Sequence, residues 1–328
     1  MAIKLFVDAT ADLQRDFLRD HPEITVIDTP IWASSKTDNR QFDNLGPDDF
    51  IAVDRDFFRK GYRITTSNPP ILDPDLECED SVATQAYQAV KAGYAVLYLA
   101  MGGGMSGTYS YAKLCFDELC EDFDIPEQQL QAIDTMCMST GTAMLVSELY
   151  DRFDLEHLED VSPLVEYIKN NRGHIAHFFT WQNLNYIVKS GRVSALAGKA
   201  ARFLRLLPIG VAGFNADGER KLDTVSGLNS PRSLNKFAKI LAKYIEHHLI
   251  HPDAPITVAY ANNPDAGFYL ATALENYLPR ANIIGGYRLG AAIQAHGGPT
   301  SLHVNFHANN APTIGEIAAE IADIMADL

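Results

Sequence analysis

The sequence predicts a two-domain α/β protein with largely parallel or mixed sheets covered by helices. Three observations predict it. The chain has 328 residues, more than a single hydrophobic core usually serves. Short apolar runs of strand length alternate with longer stretches of helical periodicity along nearly all of it. The charge balance changes sign near Asn170–Gly173, where Asn-Asn-Arg-Gly ends a helical stretch. That change sets the expected division into an N-terminal domain, 1–170, and a C-terminal domain, 171–328.

In chain order, the apolar runs that read as buried strands are Ile3–Asp8, Thr25–Trp32, Ala95–Met101, Leu130–Asp134 and Ile175–Trp181. Ile209–Phe214, Ile256–Ala261, Asn282–Tyr287 and Ser301–Phe306 continue the series. Helical stretches are expected at Pro47–Lys60, Ser81–Ala92, Tyr109–Glu121, Thr140–Phe153 and Ser162–Asn171. Further ones are expected at Leu234–His248, Asp265–Leu278 and from Ile314 to the end. The polar stretch Ile71–Asp80, with Pro74 and five acids, reads as a surface insertion.

Apolar residues make up 47% of the chain and charged ones 21%, ordinary for a globular protein. A net charge of −15 argues against nucleic acid as a partner, because phosphate contacts need a basic face. The charge is uneven: from Tyr167 to Ala216 there is no acid, and seven Lys and Arg give that segment +7 against −22 elsewhere. A basic surface on an acidic body suits an anionic partner, although solvated lysines give the same pattern. Cys78, Cys115, Cys120 and Cys137 show no zinc spacing, so no metal is expected and the thiols read as reduced. The N-terminus carries no leader pattern and no run of eighteen apolar residues occurs, so the expectation is a soluble cytoplasmic protein.

The most informative local motif is Ala100-Met101-Gly102-Gly103-Gly104-Met105-Ser106-Gly107-Thr108, which follows a strand and opens a helix. Glycines such as Gly104 and Gly107 let main-chain N–H groups approach a ligand, and a helix N-terminus favours negative charge. Ser106 and Thr108 add hydroxyls there, although Ser106 also suits a plain helix cap. Gly102, Gly104 and Gly107 satisfy GxGxxG with Asp134 ending the next strand, which opens a dinucleotide alternative. A nucleophile elbow at Ser106 lacks the final Gly, since Thr108 stands there.

Thr65-Thr66-Ser67-Asn68-Pro69-Pro70 reads either as a turn or as a hydroxyl cluster. Asp8-Ala9-Thr10-Ala11-Asp12 is either a cap or a loop at the carboxyl edge of a sheet, where ligands of open α/β folds sit. Lys189-Ser190-Gly191-Arg192-Val193-Ser194 leads into a helical pattern with Lys199, Arg202 and Arg205 on one face and Leu196, Ala200, Phe203, Leu204 and Leu207 on another. Such a helix packs on the core or lies on an anionic membrane surface. Ala295-His296-Gly297-Gly298-Pro299-Thr300 reads as a turn joining two strands, with a solvent-exposed histidine as the plain reading.

The succession of Asp8–Asp12, Thr66-Ser67, Ser106-Gly107-Thr108-Tyr109, Asp134-Thr135 with Ser139 and Gly141, Lys189–Ser194 and His296-x-Gly298-Pro299 resembles the DegV family. The resemblance runs from Ile3 to about Phe306. It implies a long-chain fatty acid held between two domains, with no cofactor, and a binding protein rather than an enzyme. By motif match the carboxylate meets Thr66, Ser106 and His296, with Ser67, Gly104, Gly107, Thr108 and Thr10 in supporting loops. The match also implies that Arg192 lies near the mouth, where a partner approaches. That partner is a separate ATP-dependent fatty acid kinase, which phosphorylates the acid to an acyl phosphate. Arg192, Lys199 and Arg202 are then expected to contact that kinase or, transiently, a membrane surface.

The sequence departs from the family pattern at Gly102-Gly103, where many members carry Ser-Ser, at Thr300, and in the acidic insertion. The chemistry is self-consistent. Burying a sixteen-carbon tail contributes about 0.8 kcal/mol per carbon before ordering costs, and hydroxyls, a helix N-terminus and an imidazole offset the desolvated acid. The other classes that the sequence leaves open are a serine esterase using Ser106 with His296 and a dinucleotide enzyme.

Overall fold

The computed structural model describes residues 2–68, 76, 78, 79, 81–190, 206–226 and 230–328. Strands β1 (Ala2–Asp8) and β2 (Thr25–Ile27) flank helix α1 (Arg15–Asp20). Next come β3 (Ile31–Ser34), β4 (Asn39–Phe42), α2 (Phe50–Asp56) and β5 (Arg63–Thr66). Then follow α3 (Val82–Lys91), β6 (Tyr94–Ala100), α4 (Thr108–Asp122), β7 (Leu130–Asp134), α5 (Thr140–Arg152) and α6 (Ser162–Asn171). The rest comprises β8 (Ile175–Trp181), α7 (Asn185–Lys189), β9 (Gly210–Phe214), β10 (Arg220–Thr224), α8 (Leu234–His248), β11 (Pro255–Tyr260) and α9 (Pro264–Tyr277). It ends with β12 (Asn282–Arg288), α10 (Ala291–Gly297), β13 (Ser301–His307) and α11 (Ile314–Ala326).

The chain divides into two compact units, one of Met1–Pro30 with Ser67–Arg172 and one of Ile31–Thr66 with Gly173–Leu328. A continuous domain 1–170 is therefore corrected. Residues 31–66 belong to the second unit because Ile31, Ala33, Phe50, Val53, Phe58 and Ile64 share a core with Tyr186, Ala291 and Ala295. The expected strand Thr25–Trp32 is likewise two strands in two sheets. Pro30 cannot donate to a ladder, and the chain changes unit there.

The first unit is built on a parallel sheet ordered β2-β1-β6-β7. Its central strands are apolar on both faces, as a sheet covered on both sides requires. Ile3, Leu5, Val7, Leu97 and Leu99 pack with residues of α5 and α6, while Phe6, Val96 and Tyr98 pack with residues of α3 and α4. The second unit has a six-stranded sheet ordered β10-β9-β8-β13-β11-β12, in which only β11 and β12 pair in parallel. One face, with Phe178, Val258, Val304 and Phe306, packs under α8, α9 and α11. Those helices start on side-chain caps: Ser233, Asn263 and the Thr313–Glu316 capping box. A three-stranded antiparallel sheet, β4-β3-β5, completes this unit.

Two local expectations change. Thr65 and Thr66 are not turn residues; they close β5, opposite Trp32 and Ile31. His296 is not in a turn between strands but in the last turn of α10, because Ala-Ala-Ile-Gln-Ala supplies good helix formers and Gly298 ends the helix. It is half-buried rather than exposed.

Candidate functional site

In the first unit, three aspartates hold the loops at the carboxyl edge of the parallel sheet. Asp8 ends β1, and its Oδ1 accepts the Thr10 N–H at 2.9 Å, the Thr10 hydroxyl at 2.8 Å and the Thr29 hydroxyl at 3.2 Å. Its Oδ2 accepts the Met101 N–H at 3.4 Å, which ties the first loop to the glycine loop. Burial pushes the Asp8 carboxyl above its ordinary range, and these four donors oppose that shift. Asp134 ends β7 and accepts from the N–H groups of Gly103, at 3.0 Å, and Met136, at 2.7 Å. Asp12, in the left-handed region at φ 53°, accepts the Ser139 hydroxyl at 2.6 Å. Ser139 itself sits at φ 53°, ψ −143°, a costly backbone for a residue with a Cβ.

The loop these carboxylates hold runs from Met101 to Gly107 and opens α4. Ser106 Oγ lies 2.9 Å from Thr108 Oγ1 and accepts the Thr108 N–H at 3.3 Å. The Thr108 hydroxyl donates to Asn68 Oδ1 at 3.3 Å, so Asn68 meets the SGT turn. Ser106, Ser67 and Gly104 are half-buried, Gly107 is exposed and Thr108 is buried. The Thr10 proton is committed to Asp8, so Thr10 shapes the loop instead of offering a donor. Ser67 hangs on a main-chain bond to Pro30 O at 3.0 Å. Gly102 is closely packed: a Cβ there would stand 2.5 Å from Met105 Cε and 3.0 Å from the Met136 main chain.

In the second unit, Thr66 Oγ1 and His296 Nε2 lie 2.8 Å apart across 230 positions of sequence. A clamp behind them holds the pair. Tyr186 is buried, stacks on Phe58 at 3.6 Å with an 11° tilt, and donates its hydroxyl to Asp54. Asp54 also accepts from Arg59 at 2.7 Å, and the Lys189 ammonium lies 4.0 Å above the Phe58 ring. Gly298, at φ +81°, packs against the Tyr186 side chain; a Cβ would come within 2.5 Å of Tyr186 Cδ2. Thr300, the departure after Pro299, accepts the Asn183 N–H at 3.0 Å just before α7. The clamp residues Asp54, Arg59 and Tyr186 were missed from sequence. The available signal was Asp54 itself, a carboxylate on the helix face that carries Phe50, Val53 and Phe57.

As to the dinucleotide reading, Asp134 Oδ1 is taken by the N–H groups of its own loops, at Gly103 and Met136. For the esterase reading, the Ser106 hydroxyl is paired with Thr108 and the His296 imidazole with Thr66. Arg192, Lys199 and Arg202 lie outside the described residues. Among the described residues there is no cluster of three metal-ligating side chains, and no helix is long and apolar enough to cross a membrane.

Comparison with known proteins places the chain in a family. The family model described as "Uncharacterised protein, DegV family" matches residues 2–308. A DegV domain-containing protein of Streptococcus pyogenes is 25% identical over 310 residues, 93% of this chain and 97% of the relative. Another, from Clostridium perfringens, is 25% identical over 218 residues, 66% of this chain and 71% of the relative. A stearic acid-binding protein from Eubacterium ventriosum has a similar fold, with a TM-score of 0.70 at 18% identity, covering 93% of this chain and 98% of that one. So has a DegV family protein from Eubacterium eligens loaded with heptadecanoic acid, at 0.71 and 15%, covering 93% and 99%. A DegV family protein from Thermus thermophilus, described by its fatty acid binding, aligns at 0.67 and 22%, covering 94% and 100%. Each of these three solved proteins is described by the fatty acid or fatty acid binding in its name, and this chain belongs to the DegV family.

Proposed function

We propose that this chain binds one long-chain fatty acid, with Thr66, Ser106 and His296 receiving the carboxylate, and passes the bound acid to a separate ATP-dependent kinase. The observation that carries the reading is the 2.8 Å contact of Thr66 Oγ1 with His296 Nε2. Two residues singled out by motif, far apart in the chain, meet as a hydroxyl and an imidazole on a half-buried surface. The Thr108 proton goes to Asn68, so Ser106 is the donor in the Ser106–Thr108 bond and can turn its proton to a stronger acceptor such as a carboxylate. None of the three is a fixed cation, which leaves the acid's oxygens nucleophilic toward a phosphoryl donor.

Delipidated protein titrated with palmitate or oleate and followed by native mass spectrometry should take up one acid per chain; no complex would overturn the reading. Thr66→Val with Ser106→Ala should weaken binding by roughly 2–4 kcal/mol, as two buried hydrogen bonds to a charged group are lost. Arg192→Ala should leave acid binding intact and slow acyl-phosphate formation by a cognate kinase. Unchanged transfer would remove Arg192 from the partner surface.

A further inference from the structure

The two faces of the six-stranded sheet differ in a way that a plain hydrocarbon ligand does not explain. Under α8, α9 and α11 the sheet is apolar. Its other face sets His177, Phe179 and Trp181 of β8 opposite Asn305, His303 and Ser301 of β13. All six side chains are buried. His177 has the Asn305 side chain directly opposite as a weak partner, and neither of its ring nitrogens makes a hydrogen bond of ordinary geometry. Ser301 Oγ is also buried without a hydrogen-bond partner. Groups of this kind are rarely left unmatched, because burial strips them of water.

The strip starts at the head-group site. Helix α10, which carries His296, is seated on this face: a Cβ at Gly297 would lie 2.3 Å from Ser301 Oγ and 3.4 Å from Trp181 Nε1. From Ser301, β13 runs away from His296 past His303 to Asn305, about 13 Å at ~3.3 Å per residue. His177 lies at that far end, opposite Asn305. Burial holds His177 well below its ordinary range and pushes His303 down to about 3. Both rings are therefore neutral, each offering one N–H and one lone pair. Arg220, the cation beside His177, is turned onto the main-chain carbonyls of Ala212 and Ile175. Such a strip matches a neutral oxygen group better than a second carboxylate.

We infer that the preferred ligand is a long-chain acid bearing a mid-chain hydroxyl or keto group, received by His177. This rests on the carboxylate reading above. Delipidated wild-type protein is titrated with oleate, with ricinoleate, which adds one mid-chain hydroxyl, and with stearates hydroxylated at successive mid-chain positions. At least one hydroxy acid should bind about tenfold tighter than its plain parent, as one buried hydrogen bond is gained. In His177→Phe that preference should vanish while oleate binding holds within about twofold, and His177→Gln should keep part of it. Equal affinities across the set in the wild type, a comparison that needs no variant, overturn the inference and leave the carboxylate reading standing. If no acid binds, both fall.

Discussion

The glycine loop of the first unit and the Thr66–His296 pair of the second are built in opposite ways. The loop stays at one sheet edge: Met101–Gly107 leads from β6 into α4 and is tied by Asp8, Asp134 and main-chain bonds there. The pair is remote, and only packing of the 31–66 segment on α7 and α10 brings it together. A structure held by several parallel bonds loses them one at a time. One held by a single packed clamp fails when the clamp is displaced.

The largest expected effect is therefore Gly298→Val. It puts a branched Cβ into the Tyr186 ring at a backbone angle of φ +81°, and a loss of about 3–5 kcal/mol is expected. Both tryptophans of the chain, Trp32 and Trp181, lie in the second unit, so their fluorescence during urea unfolding reports this loss directly. Asp8→Ala comes next, at about 2–4 kcal/mol, because the N–H groups of Thr10 and Met101 and the hydroxyl of Thr29 are orphaned. Its signature is faster amide exchange in β1 and β6 with the tryptophan transition unmoved. A coincident shift of both probes in either variant would dissolve the contrast.

How much of this was legible in the sequence follows the same division. Leu130–Asp134, Ile175–Trp181, Ser162–Asn171 and Leu234–His248 match the structure residue for residue, since each is a contiguous run whose period alone decides it. The glycine loop and its hydroxyls were readable because the motif is contiguous. Strands β4, Asn39–Phe42, and β10, Arg220–Thr224, were not, being polar edge strands with no apolar run. The discontinuous second unit was also hidden: nothing local to residues 31–66 says which core receives them. Thr66 and His296 carry no pairwise signal in one sequence, and their partnership came only from the family resemblance.

Acid sensitivity sharpens the comparison from the side of the second unit. His303 titrates near 6.5 when unfolded and at about 3 when folded. The unfolded chain therefore binds the proton first, and stability present above pH 6.5 is lost progressively as pH falls toward 3. His177 shifts in the same direction, also chiefly through burial, and adds to this. The tryptophan-reported transition should thus move to lower urea on going from pH 7 to pH 4, and His303→Gln should flatten that dependence. An unchanged slope would mean that the imidazole takes up protons in place.

The smallest effect is the most diagnostic. Thr66→Val removes one half-buried hydrogen bond, worth about 1 kcal/mol, and keeps the β-branched shape that β5 needs. If the clamp places His296 independently of Thr66, the variant should keep the wild-type unfolding transition to within that amount and lose affinity only for the acid. The opposite result, a transition displaced as far as in Gly298→Val, would mean that the hydroxyl–imidazole bond holds α10 in place. Thr66 and His296 would then be structural first and ligand-binding second. Because the clamp and the pair bear on the same helix, the double variant Thr66→Val with Tyr186→Phe measures their coupling. Additive losses assign them separate roles, and a smaller combined loss makes them one device.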